Sequence, residues 1–146
     1  MPGAAGRDPM NISLAFLADE ANVSQEGKLN VLGIFDRINA ANFPVIHPRM
    51  VFAFRVQMEF GDAGRTFPVE VRLLDQDGTA MFEAVGEIMA PAVPPGEFAT
   101  ANQVFSMVGV QFPAEGMYRF SVSIGGAEPY DTPFLVQATA SDPMMN

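Results

Sequence analysis

Apolar runs recur along this chain from Asn11 to Gln137, broken by turn signals at GDAG (Gly61 to Gly64), DQDG (Asp75 to Gly78), PAEG (Pro113 to Gly116) and Gly125-Gly126. Runs of roughly six to ten residues at that spacing are the pattern of a β-sandwich or barrel. Within the runs the period is two. From Met50 to Phe60, the side chains of Phe52, Phe54, Val56, Met58 and Phe60 alternate with Arg55, Gln57 and Glu59, as in a strand with one buried and one wet face. The pattern repeats in Phe67, Val69, Val71 and Leu73, and again in Tyr118, Phe120, Val122 and Ile124 of the run from Met117 to Ile124. Further strands are predicted over Asn11 to Ala18, Lys28 to Ile38, Thr79 to Met89 (Phe82, Ala84 and Ile88 inward), Gln103 to Phe112 and Thr132 to Ala138. No segment of helical length carries a 3.6-residue period. The predicted fold class is therefore all-β, an antiparallel sandwich of about eight strands, immunoglobulin-like or jelly-roll-like. The Pro-rich segment Ala90 to Gly96 cannot pair inside a sheet and is expected to cross between sheets.

Two predicted strands break the alternation. In the second, Leu29, Val31 and Phe35 oppose Leu32, Ile34 and Ile38; in the sixth, Phe105 and Met107 oppose Val104, Val108 and Val110. Both faces of such strands need cover. Either the chain's own loops shield the outer face, or Val31, Phe35, Phe105 and Met107 mark a surface for self-association or for a protein partner, since large exposed apolar patches are uncommon on monomers.

Composition sharpens this picture. A chain of 146 residues fits one domain, and 13 Phe and 10 Met among 49% hydrophobic residues supply a core without disulfides or a structural metal. The expected organisation is a disordered extension over residues 1–9, a sandwich over 10–140 and a flexible tail over 141–146. Eight basic against 17 acidic residues leave a net charge of −9, which repels phosphate backbones and anionic membranes and argues against nucleic-acid or membrane partners. The N-terminal residues do not read as a secretory signal, no run is long enough for a membrane helix, and cysteine is absent, so a cytoplasmic location is expected.

The candidate chemistry is thin. His47, the sole histidine, lies in FPVIHPRM between two prolines, where it is expected to sit in a loop leading into the third strand. A catalytic triad would have to be built around it, and no GxSxG elbow accompanies it. One histidine without cysteine makes a zinc site improbable. DQDG at Asp75 to Gly78 has the start of a calcium loop but lacks the later ligands and the terminal Glu, so a hairpin turn is expected. Asp19, Glu20, Glu26 and Asp36 are close in sequence and could line one end of the sandwich, as solvated loop charges or as paired carboxylates.

The stretch LAFLADEANVSQEGKLNVLGIFDRINAANFPVIHPRM, from Leu14 to Met50, resembles the N-terminal signature of a family of short bacterial domains of unknown function. In that family an ADYANVS segment is followed by a GKLNILGIFD-like strand and an FPxxHP loop. Glu20 departs from the pattern, standing where an aromatic residue is common. GRTFPVEVRLLDQDG and PAEGMYRFSVSIGG extend the similarity over most of the chain. The resemblance implies a β-sandwich and transfers no activity, cofactor or catalytic residue. Asp19, Asn22, Gly27 and Asp36 form the signature cluster, for which strand-end and turn roles are expected, because short polar side chains satisfy backbone donors there. The expected function is a non-enzymatic protein-interaction or assembly module without cofactors. The alternative is a small-ligand or carbohydrate-binding sandwich, although the absence of Trp and the presence of only two Tyr disfavour sugar stacking.

Overall fold

A computed structural model of the chain describes residues 11–139. The extension expected over residues 1–9 and the tail expected over 141–146 lie outside the described residues. Nine strands run in the order β1 (Asn11–Val23), β2 (Leu29–Phe35), β3 (Arg37–Ala40), β4 (Val45–Glu59), β5 (Thr66–Leu74), β6 (Ala80–Met89), β7 (Phe98–Phe112), β8 (Gly116–Ile124) and β9 (Tyr130–Ala138). They form a four-stranded sheet, β2-β1-β4-β7, and a five-stranded sheet, β3-β9-β8-β5-β6. All pairings are antiparallel except β3 with β9, which is parallel. The chain is an all-β sandwich.

Period-two alternation places the core between the sheets. Met50, Phe52, Phe54, Val56 and Met58 of β4 face Phe67, Val69, Val71 and Leu73 of β5 and Tyr118, Phe120, Val122 and Ile124 of β8 in one buried cluster. Phe52 and Phe120 stack across the sheets at 4.6 Å between ring centroids, an arrangement worth about 1 kcal/mol beyond the area buried. Tyr118 donates its hydroxyl to the Ala114 carbonyl at 2.6 Å, so the one polar atom of that buried ring is satisfied where β8 begins. The segment Ala90 to Gly96 carries the chain from β6 in one sheet to β7 in the other.

Several predicted boundaries differ from the structure for physical reasons. The predicted second strand divides at Asp36, where the chain leaves one sheet and enters the other; the Asp36 carbonyl accepts a bond from the Leu135 amide at 2.9 Å. His47 lies inside β4, since that strand begins at Val45, and not in a loop. Phe82, expected inward, is 38% exposed because β6 is the last strand of its sheet and its neighbouring face is incompletely covered. The DQDG segment is a hairpin turn between β5 and β6: the Asp75 side chain accepts bonds from the amides of Asp77 and Thr79, both at 2.9 Å.

The largest departure concerns β1, which runs on to Val23. Its first half pairs with β4 and its second half with β2, and only Leu17 and Ala18 pair on both sides. The β1–β2 hairpin therefore leaves the sheet after Ala18. Its tip returns over the outer face, where the Gly27 carbonyl accepts a bond from the Asn102 side chain of β7 at 2.7 Å. Beneath it lies a second buried cluster of Ala18, Ala21, Val51 and Ala53, against which Phe16, Leu29, Val31 and Val104 pack. The chain's own hairpin thus covers the part of the outer face around Val51 and Ala53.

Candidate interaction surface

The doubly apolar strands share one cause. Each contains a glycine in left-handed backbone, Gly33 in β2 at φ 75° and Gly109 in β7 at φ 69°, a conformation that residues with a Cβ adopt only at a cost. Around Gly109 the inward side of β7 changes. Phe105 and Met107 face the core before it, whereas Val110 and Phe112 face the core after it. On β4 the change falls at Pro48, opposite Gly109, the one position that the ladder skips between Val45 and Glu59. In β2, Leu29 and Val31 pack into the hairpin cluster and Phe35 packs against the main core, on the far side of Gly33.

These positions move the expected interaction surface. Met107 is 7% exposed and belongs to the core. Phe105 packs against the same core, its ring stacked with Phe54 at 6.1 Å. Val31 is half-buried on the hairpin's inner side against the second cluster, and Phe35 lies 5.9 Å from the His47 ring. None of the four presents an open apolar face. The side chains left in solvent are their neighbours: Leu32 is 71% exposed, Ile34 64%, Ile46 62% and Val108 77%.

Four side chains, one from each strand of the four-stranded sheet, line up in one row. Leu32 lies opposite Glu20, the Glu20 carboxylate accepts a bond from the Arg49 guanidinium at 2.7 Å, and Arg49 lies opposite Val108. The row spans β2, β1, β4 and β7 as apolar, acidic, basic, apolar. The bond to Arg49 holds the Glu20 carboxyl below its ordinary pKa and raises that of Arg49. Sequence reasoning missed the pair because residues 29 apart in sequence meet only through β1–β4 pairing. Glu20, the departure from the family pattern, was the available signal.

The signature residues do not converge. Asn22 accepts a bond from Asn30 across the hairpin at 3.0 Å. Gly27 forms the hairpin tip, its amide bonded to the Ser24 carbonyl at 2.9 Å. Asp19 stands against Gly33, and Asp36 turns the corner between the sheets with its side chain in solvent, 3.9 Å from Arg37. The acidic residues suggested as a pair are apart in function too, with Glu20 on Arg49 and Glu26 on Lys28 at 3.5 Å. The pKa of His47 is lowered, mainly because burial strips water from the ring, while the charge of Asp19 acts in the opposite direction. Among the described residues no group of three or more His, Cys, Asp or Glu side chains is placed to hold a metal ion, and no helix is long and apolar enough to cross a membrane.

One open cleft of about 290 Å³ lies where β1 and β2 meet β9, lined by Phe16, Ile34, Phe35, Asp36, Thr132 and Pro133 among others. Thr132 Oγ1 is buried there without a hydrogen-bond partner among the described residues.

Fold and surface together define a sandwich domain with a folded-back hairpin and a solvent-facing apolar row on one sheet. The chain belongs to the family of unknown function DUF6941, whose model matches residues 13–137. No curated protein matches it. Among solved structures it is similar to the alkylpurine DNA glycosylase AlkC of Pseudomonas fluorescens bound to DNA containing an abasic site analog (13% identity, 93% of this chain and 32% of that one, TM-score 0.48). It is also similar to the β-glucosidase of Listeria innocua in complex with glucose (13% identity, 87% of this chain and 15% of that one, TM-score 0.46). A third similarity is to the C-terminal domain of wzt (14% identity, 94% of this chain and 77% of that one, TM-score 0.47). The chain thus spans a third or less of the glycosylase and the glucosidase. At this level of likeness neither the DNA nor the glucose of those complexes transfers to it.

Proposed function

We propose that this domain is a non-enzymatic protein-interaction or assembly module. The observation that carries the reading is the row in which exposed Leu32 and Val108 flank the Glu20–Arg49 pair, with Ile34 and Ile46 also exposed on β2 and β4, an apolar surface with a polar centre of the kind that protein partners dehydrate. A cytoplasmic location goes with it, because a cysteine-free sandwich suits a reducing compartment. The test is site-specific photo-crosslinking from position 32 in the native host, compared with Leu32→Glu and Ile34→Glu variants that retain wild-type circular dichroism. A defined protein adduct at position 32, with affinity capture of the same protein lost in both variants, is the expected result. Capture indifferent to both substitutions would refute the reading.

The second reading, a small-ligand or carbohydrate site, rests on the open cleft, where Asp36 and Thr132 stand among Phe16, Ile34 and Phe35. Titration with a panel of small sugars and polar metabolites, followed by amide chemical shifts at Ile34, Phe35 and Thr132, tests it; no localised shift in the panel would count against it.

A further inference from the structure

We infer that β7 is a self-association edge, on which a second copy of this chain pairs antiparallel about Gln103. The inference rests on the interaction-module reading and gives that module a partner and a register. An unpaired strand edge is a template for another strand, and folded proteins blunt such edges with charge, shortness, bulges or cover.

Among the described residues the other edges carry such devices. β6 bears Glu83 and Glu87, β3 has four residues, and β2 is carried away from the sheet in the hairpin. The portion of β1 without β2 beside it has a register shift between Ile12 and Leu14. Between Phe98 and Val108 β7 carries no charge and no bulge, its pairing with β4 is unbroken, and the hairpin tip meets it through the Asn102 side chain. That stretch, FATANQVFSMV, contains no charged residue and no proline in a chain of net charge −9. An acidic molecule can bring a second copy of itself close along such a strip without aligning like charges.

Gly109 limits the strip, because the face of β7 changes there. The remaining residues 98–108 centre on Gln103. Antiparallel pairing about that residue sets Phe98 against Val108, Ala99 against Met107, Thr100 against Ser106 and Ala101 against Phe105, each twice. Large side chains meet small ones, and hydroxyls meet hydroxyls. Phe98 and Val108, 63% and 77% exposed in the single chain, cover each other at both ends. Cross-strand pairs of this kind are what stabilise one register over its neighbours. The product is a continuous eight-stranded sheet with isologous two-fold symmetry.

Sedimentation equilibrium of the full chain from about 10 μM to 1 mM tests the proposal, at concentrations suited to a modest interface. A species of twice the 15.7 kDa chain mass is expected. The pair Thr100→Glu with Ser106→Glu places like charges opposite each other and is expected to weaken the dimer at least tenfold. Thr100→Lys with Ser106→Glu places opposite charges together and is expected to restore it. Both positions are exposed, and hydrogen exchange of the unaltered chain supplies a readout independent of variant folding: protection of residues 98–108 should rise with concentration. A wild-type monomer throughout, a dimer indifferent to the paired Glu substitutions, or charge reversal without recovery would each overturn the inference. Such a monomer that still gives the crosslink at position 32 would leave the interaction-module reading standing.

Discussion

Replacing Gly33 by alanine tests the account of the folded-back hairpin most directly, because two separable penalties meet at that residue. Its φ of 75° is the left-handed region, which costs a residue with a Cβ about 1–2 kcal/mol. A Cβ built there would also stand 2.5 Å from Asp19 Oδ2 and 3.2 Å from Asp19 Cβ. The carboxylate is exposed and can swing away. The Asp19 Cβ cannot, so strand β1 or β2 must shift by several tenths of an ångström, adding about 1–2 kcal/mol as overpacking does. Gly27 provides the internal reference. It has a similar φ of 86°, and nothing lies within 4 Å of its added Cβ. Gly27→Ala should therefore lose about 1–2 kcal/mol and Gly33→Ala about 2–4 kcal/mol.

Urea unfolding followed by far-ultraviolet circular dichroism and Phe/Tyr signals measures both, with coincident transitions as the check on two-state behaviour. The second penalty should shrink when Asp19 is also replaced by glycine, whereas the φ penalty should remain, so a double-mutant cycle isolates the steric part. Equal losses in Gly27→Ala and Gly33→Ala, or no coupling between positions 19 and 33, would refute the reasoning. It would mean that the hairpin does not bend against Asp19 in the way the packing of Leu29 and Val31 requires.

Phe54→Ala, at a side chain fully buried between the sheets, should destabilise by about 3–5 kcal/mol while Gln57→Ala on the opposite face changes stability little; equal effects in equilibrium unfolding would overturn the β4 register. Tyr118→Phe removes the hydroxyl bonded to Ala114 and should lose about 1 kcal/mol in the same assay, with an unchanged value counting against that bond as a strand-start anchor. His47 has a lowered pKa in the fold, so the unfolded chain binds the extra proton: stability should rise with pH from the depressed folded value up to the ordinary 6.5 and level off above it. Unfolding midpoints across that window should show the slope in the wild type and a flatter profile in His47→Gln; identical profiles would remove His47 as the source.

Strands with strict alternation were legible because burial on one face leaves a direct trace in composition. Phe52, Phe54 and Val56, and likewise Phe120 and Val122, point where period two sends them. The trace fails where a face changes within a strand. Val108 and Val110 read as one outer face by spacing, yet only Val108 is outward, because Gly109 between them resets the alternation. A glycine inside an apolar run was the visible signal for such a reset, and both anomalous strands contain one. The Glu20–Arg49 pair and the return of Gly27 to Asn102 are a different case. The first joins distant residues where β1 runs beside β4 and the second where the hairpin tip meets β7, and local pattern carries no information about which distant strand a segment will meet. The surface residues follow from the same logic: Leu32 and Val108 are exposed because each flanks a face-changing glycine, so the features that obscured the alternation also put the apolar row in solvent.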